Sequence, residues 1–88
     1  MAACDHLATF NGVDPDPVTG DGCVGCLAEG RDDWVHLRLC LACGYVGCCD
    51  SSPRRHASAH YAGTGHPVVR SFEEQERWRW CYVDELLG

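Results

Sequence analysis

The chain has 88 residues, a length that predicts a single domain, residues 1–88, whose apolar core alone is marginal for stability. Its 13 acidic and 7 basic residues give a formal net charge of −6, and every basic residue is an arginine. Because an acidic chain without a basic stripe binds phosphate backbones poorly, the composition predicts that nucleic acid is not a partner.

The first residues show no targeting signal. Residues 1–6 contain no basic region followed by an apolar run, and no stretch approaches the roughly 20 apolar residues of a membrane helix. We therefore expect a cytoplasmic protein with no membrane partner. Residues 7–22 carry turn dipeptides such as Asn11-Gly12 and Asp14-Pro15, which predict a loop.

Two Cys-x2-Cys knuckles, at 23–26 and 40–43, flank the first predicted strand. From Val35 onward, apolar residues occupy every second position of the segment 34–39. This alternation is typical of a half-buried β-strand with its apolar face toward the core.

The Ser-Pro pair at 52–53 predicts the start of a helix because serine suits the N-cap and proline suits the first helical position. We expect this helix over about residues 53–62, with Gly63 ending it. His56 and His60 are four residues apart and would therefore share one face.

Two further strands are predicted in the last third of the chain. The first is 68–72, and the second is 77–82, where Trp78, Trp80 and Tyr82 alternate onto one face. Together the elements predict an α+β fold. We expect a small domain with a short antiparallel sheet and one main helix.

Potential zinc ligands recur at short spacings along the whole chain. In order, they are Cys4, His6, Cys23, Cys26, Cys40, Cys43, Cys48, His56, His60, His66, Cys81 and Asp84. Zinc takes four tetrahedral ligands from thiolate, imidazole and sometimes carboxylate. Histidines at ligand spacing favour zinc over disulfides. Twelve ligands make up to three sets of four, so we predict a zinc-stabilised domain with up to three zinc sites. Since sets of four leave no open position for a reaction, we predict structural Zn²⁺ and no enzymatic activity.

The order of these spacings resembles that of the ubiquitin-hydrolase-type (UBP) zinc finger. It reads Cys-x-His, Cys-x2-Cys, Cys-x2-Cys-x4-Cys, His-x3-His-x5-His and a final Trp-Cys-Tyr, over about residues 4–84. The segments 48–53, 62–67 and 80–85 look most like the stand-alone bacterial branch of that family.

The resemblance implies how the ligands are grouped, which spacing alone leaves open. It implies a first set of Cys23, Cys26, Cys48 and His56, and a second set of Cys40, Cys43, His60 and His66. It implies a third set of Cys4, His6, Cys81 and Asp84 that clasps the two termini. Relatives with three zinc ions commonly have cysteine where this chain has Asp84.

The family also implies a recognition surface. Its Trp-Cys-Tyr positions line a pocket for a free C-terminal Gly-Gly tail, and Trp80 and Tyr82 match them. Ubiquitin-binding members follow the cysteine matching Cys48 with Gly-Arg-Tyr, where this chain has an acidic residue, Asp50. We predict that Arg38 supplies the cationic contact instead. The expected partner is a protein or peptide, through a ubiquitin-like or other C-terminal tail.

Cys49 and His36 fall outside the ligand sets. Cys49 is interpreted either as a small buried thiol beside a zinc site or as a reactive thiol. The second interpretation gives an alternative function, a redox- or zinc-responsive switch that uses Cys49 and the terminal ligand set. His36 is expected to face solvent or to form a hydrogen bond.

Overall fold

The computed structural model describes residues 5–9, 15–18, 22–73, 76 and 78–87. Within these ranges it contains three helices and five strands. They are α1 Asp5–Thr9, α2 Val24–Ala28, β1 Leu37–Cys40, β2 Val46–Cys48, α3 His56–Thr64, β3 Val68–Ser71, β4 Arg79–Cys81 and β5 Leu86–Leu87. The strands form one antiparallel sheet in the order β2-β1-β3-β4-β5. The predicted α+β class, with a short antiparallel sheet and one main helix, is confirmed.

The two faces of the sheet divide the core from the candidate site. Leu39, Val46 and Val68 are almost fully buried on one face, where they pack with Leu7 of α1. On the opposite face, Val69 of β3 pairs with Trp80 of β4. The period of two along each strand thus sends aliphatic residues inward and leaves aromatic residues for a surface pocket.

Cysteine replaces much of the usual apolar core. Among the described residues, five cysteines are less than 2 % exposed, and they are Cys23, Cys26, Cys40, Cys48 and Cys81. The aliphatic side chains buried to the same extent are Leu39, Leu41, Val46 and Val68. A core this small is the expected consequence of the chain length, and domains of this size usually need disulfides, metals or partners for stability.

The first strand begins later than predicted. It starts at Leu37 rather than at residue 34, and Val35 is 51 % exposed, so the predicted burial of Val35 was wrong. The Val35 N–H donates to Ser52 Oγ at 2.7 Å, and the Leu37 N–H donates to Glu73 Oε2 at 2.9 Å. Side chains therefore take the hydrogen bonds that a longer strand would form.

The main helix is also displaced from its predicted bounds. It begins at His56 after Arg55, which has a left-handed backbone with φ 46°, and it ends at Thr64 before Gly65 with φ 76°. Ser52 does not act as the N-cap because its hydroxyl accepts the Val35 N–H. The His56 N–H instead donates to Cys48 Sγ at 3.1 Å, so a cysteine sulfur accepts at the start of the helix.

Four short elements were not predicted. Helix α1 occupies residues 5–9, part of which lies in the predicted 7–22 loop. Helix α2, strand β2 and strand β5 are each two to five residues long. Among the described residues, no helix is both long and apolar enough to cross a membrane.

Candidate metal centres and the adjoining pocket

The inner cluster, defined as Cys23, Cys26, Cys48 and His56, brings four predicted ligands within 4.8 Å of one another. Cys23 is the N-cap of α2 and Cys26 lies within that helix, strand β2 ends at the third thiol, and α3 begins at the histidine. The Cys26 N–H donates to Cys23 Sγ at 3.4 Å, which turns the knuckle around the sulfur.

The distances within the inner cluster fit a tetrahedral zinc ion. Bond lengths of about 2.3 Å to sulfur and about 2.0 Å to nitrogen require sulfur–nitrogen edges near 3.5 Å and sulfur–sulfur edges near 3.8 Å. His56 Nδ1 lies 3.2, 3.3 and 3.5 Å from the sulfurs of Cys23, Cys26 and Cys48. The Cys26 and Cys48 sulfurs lie 3.9 Å apart. The residues present therefore fit Zn²⁺.

The carboxylate of Glu29 orients the His56 ring. Its Nε2 lies 3.5 Å from Glu29 Oε1, and the same carboxylate accepts two hydrogen bonds from Arg54. The hydrogen bonds from Arg54, ahead of its charge, lower the pKa of Glu29 against the opposing effect of burial. An ionised carboxylate at Nε2 favours the tautomer that leaves Nδ1 free for the metal.

The outer cluster, defined as Cys40, Cys43, His60 and His66, also gathers its ligand atoms within 4.8 Å. Cys40 Sγ lies 3.6 Å from His66 Nδ1, and Cys43 Sγ lies 3.4 Å from His60 Nε2. The two ring nitrogens are 3.3 Å apart. These edges are those of a tetrahedral site with two sulfur and two nitrogen ligands. The two clusters fit two zinc ions, as the sequence predicted.

Burial and charge in the clusters favour a cation. Burial, followed by hydrogen bonds to Cys23 and Cys48, raises the pKa of Cys26 to about 12. Burial likewise raises the pKa of Cys48 and of Cys40. Neighbouring buried thiols ionise together only beside a positive charge, which Zn²⁺ supplies. In the outer cluster, burial and then the charge of His66 lower the pKa of His60, which favours the neutral, ligating imidazole.

The terminal cluster contains His6, Cys81 and Asp84, whose ligand atoms also lie within 4.8 Å of one another. His6 Nδ1 is 3.2 Å from Asp84 Oδ2, and Cys81 Sγ is 4.0 Å from the same oxygen. The fourth predicted member of this set, Cys4, lies outside the described residues. Helix α1 is thus held against β4, where Arg79 also donates to the Leu7 carbonyl at 2.8 Å.

A pocket of about 240 Å³ opens on the aromatic face of the sheet. All three predicted recognition residues, Arg38, Trp80 and Tyr82, line it. The remaining lining residues are Cys49, Asp50, Ser51, Val69, Trp78 and Leu87. The alternation of residues 78–82 predicted the shared aromatic face, but the neighbouring side chains come from distant strands and turns.

The aromatic walls are braced from both sides. The Arg38 guanidinium lies over the Trp78 ring at 4.5 Å, a cation–π contact. The Tyr82 ring stacks on Tyr61 of α3 with centroids 4.9 Å apart. Burial raises the pKa of Tyr82, so its hydroxyl remains protonated near neutral pH.

Cys49 and His36, the two residues outside the ligand sets, differ in burial and in hydrogen-bond partners. Cys49 is 5 % exposed, and its sulfur lies 3.5 Å from Ser52 Oγ. Burial raises its pKa, but hydrogen bonds from Ser52 and the backbone and the charge of Arg38 outweigh that effect, so the pKa is lowered. His36 is exposed and lies 3.4 Å from Glu73 Oε1, in keeping with the expected hydrogen bond.

The sequence profile of the family described as "Zn-finger in ubiquitin-hydrolases and other protein" matches residues 23–86. The chain belongs to this family of UBP-type zinc fingers, as its ligand spacings predicted.

The solution NMR structure of Protein RPA1320 from Rhodopseudomonas palustris is similar, with a TM-score of 0.83 and 45 % identity. The match covers 99 % of this chain and 81 % of that one. The chain is also 33 % identical over 61 residues to the NAD-dependent deacetylase sir2A of Dictyostelium discoideum. That match takes in 69 % of this chain but spans only 10 % of the deacetylase.

Proposed function

We propose that residues 1–88 form one non-catalytic zinc-binding module that recognises the C-terminal tail of a protein or peptide in a reducing, cytoplasmic setting. The observation that carries this proposal is the pocket that Arg38 lines together with the aromatic side chains of Trp80 and Tyr82. A cation beside aromatic walls is a suitable receptor for a carboxylate at the end of a chain.

Arg38 has donors to offer a ligand. Its Nη1 donates to the carbonyl oxygen of Leu37 at 3.0 Å, and its plane is held over Trp78. The ion pairs of the described residues involve other side chains. Because a guanidinium has five N–H donors in a rigid fork, those that remain can bind a carboxylate from two directions.

The shape of the pocket favours small residues next to the carboxylate. Trp80 and Tyr82 form its aromatic sides, and the volume of about 240 Å³ is below that of most small-molecule sites. Glycine or another small residue can enter a narrow aromatic slot without steric conflict. Asp50 lines the same pocket where the ubiquitin-binding members have the segment Gly-Arg-Tyr, and this difference supports a partner other than ubiquitin.

The donor sets support a structural role for the zinc. The inner and outer clusters each bring four protein ligands together, whereas a catalytic zinc ion keeps a position for water or substrate. The metal would therefore hold α2, α3 and the sheet in place, and the pocket would perform the function.

Matched peptides test the proposal. Acetylated hexapeptides of glycine and serine, with a free or an amidated C-terminus, would be titrated into the zinc-loaded protein and followed by tryptophan fluorescence. We expect the amide and the Arg38→Ala variant each to weaken binding about tenfold, the effect of losing a charge-assisted hydrogen bond. Arg31→Ala is the control, since Arg31 pairs with Asp33 outside the pocket. Equal affinity for acid and amide would refute tail recognition.

A zinc- or redox-responsive switch is the second candidate function. It is favoured by the exposure of the terminal cluster, where the side chains of His6 and Asp84 are 39 % and 42 % exposed. Zinc release under mild peroxide separates the two functions. A recognition module retains its zinc, whereas a switch loses one ion early and regains it on reduction.

A further inference from the structure

The pocket carries one charge of each sign. Arg38 and Asp50 both line it, and the ion pairs found among the described residues include neither of them. Within the described residues the two side chains thus form no close ion pair with each other, and each can contact a ligand. A pocket of this kind is complementary to a dipolar ligand rather than to a simple anion.

The position of Asp50 is determined by the fold. It follows the buried pair Cys48 and Cys49, and its Oδ1 accepts a hydrogen bond from the Ser58 hydroxyl of α3. The helix that presents Ser58 also presents His56 and His60 to the two clusters. The carboxylate is therefore anchored through one oxygen by a neutral donor at the edge of the pocket.

We infer that Asp50 selects tails that carry a lysine or arginine among their last residues, with the terminal carboxylate at Arg38. This inference rests on the proposed function and adds the chemical class of the partner. The formal net charge of the whole chain is −6, so it also attracts basic segments. An acidic tail would be repelled both by Asp50 and by this net charge.

The expected selectivity is modest because Asp50 is exposed to solvent. Exposed charge pairs contribute a factor of about two to five in affinity and weaken as salt screens them. The local effect of Asp50 must also be separated from the general attraction of an acidic protein. Asp32 serves this purpose, since it is exposed and does not line the pocket.

The test compares lysine, norleucine and glutamate in otherwise identical peptides. Acetylated glycine-serine hexapeptides with a free C-terminus would carry the test residue at the last, second-last or third-last position. Each would be titrated by calorimetry into the zinc-loaded parent protein and into Asp50→Asn, Asp50→Arg and Asp32→Asn. Asparagine keeps an acceptor for Ser58 while it removes the charge.

For at least one position, we expect lysine to bind the parent about two- to fivefold more tightly than norleucine, and glutamate to bind more weakly. Asp50→Asn should remove this preference, Asp50→Arg should reverse it, and Asp32→Asn should leave it intact.

If the peptides bind and require the free carboxylate but Asp50→Asn keeps the lysine preference, the inference is wrong while tail recognition stands. If neither the carboxylate nor Arg38 matters, tail recognition itself fails. Free lysine, titrated separately, shows whether the pocket binds an amino acid rather than a tail; equal affinity for the two would overturn the inference.

Discussion

The inner and outer clusters share helix α3 but differ in ligands and in burial. The inner cluster has three buried thiols and one partly buried imidazole, whereas the outer cluster has one buried thiol, one exposed thiol and two partly buried imidazoles. The inner thiols also pack against Trp34 and Leu37 and accept backbone N–H groups. The inner site therefore replaces hydrophobic core, while the outer site braces the surface between β1 and the end of α3.

Because of this difference, we expect metal sites of similar geometry to contribute differently to the stability of the fold. A buried site supplies both the metal–ligand bonds and the packing around them, and its removal leaves a polar cavity. An exposed site supplies only the metal–ligand bonds, and water can partly take the place of a ligand that is lost there. We expect the stability of the domain to follow burial rather than the number of ligands.

The largest expected effect comes from removing one ligand in each cluster. Cys48→Ser should leave the domain unfolded, because structural zinc contributes apparent free energies of about 10–16 kcal/mol and a whole domain is stable by only about 5–15 kcal/mol. Cys43→Ser should lose one zinc ion but keep a folded core, since Cys43 is exposed. Elemental analysis for zinc and the dispersion of amide NMR signals measure both outcomes.

This comparison fails if the two serine variants unfold to the same extent. A second variant pair guards against an effect of one particular residue. Cys23→Ser should behave like Cys48→Ser, and His60→Ala should behave like Cys43→Ser, because each pair belongs to one cluster.

A smaller effect is expected from Gly25→Ala, which disturbs the inner cluster without removing a ligand. A Cβ atom at Gly25 would lie 2.5 Å from Cδ2 of the His56 ring, so the ligand or the helix must shift. Overpacking of this kind typically costs about 1–3 kcal/mol. Denaturant unfolding of the zinc-loaded protein measures the loss.

Gly63→Ala is the matched control because a Cβ atom there would meet nothing within 4 Å. Alanine in a helix is favoured over glycine, so this variant should gain up to about 1 kcal/mol. Equal destabilisation by both substitutions would show that space around the His56 ring is not the cause.

The smallest expected effect concerns Tyr45, whose ring stacks on the ligand His60 of the outer cluster. The Tyr45 ring stacks on His60 with centroids 4.2 Å apart and planes 3° from parallel, which orients the imidazole. Tyr45→Ala should speed zinc transfer from the outer cluster to a chromophoric chelator about two- to tenfold, in line with the strength of aromatic pairs. Tyr45→Phe should keep the parent rate, since it keeps the ring.

Cobalt spectra show which cluster responds, because a site with three sulfur ligands absorbs differently from one with two. If Tyr45→Ala accelerates release from the inner cluster equally, the stacked ring stabilises the fold in general rather than orienting His60.

Much of the site was predictable because the ligands are chemically distinctive and closely spaced. The predicted sets around Cys23 and Cys40 come together in the structure, although spacing alone left their grouping open. The alternation of residues 78–82 predicted a face shared by Trp78, Trp80 and Tyr82, and all three line the pocket in the structure. The bounds of the elements were less predictable. The Ser52 hydroxyl accepts the Val35 N–H instead of capping the helix, and the Cys48 sulfur accepts the first N–H of α3. Such long-range side-chain bonds override local capping signals.

The sequence by itself determined the metal chemistry of this protein, its family and the α+β class of its fold. These follow from residue types and short spacings, which do not depend on how the chain folds. The tertiary structure added Trp78 and Asp50, which lies in the turn after β2, to the pocket that Arg38 and Trp80 line. It also buried one cluster and exposed part of the other, because sheet pairing and helix packing act between residues far apart in the chain.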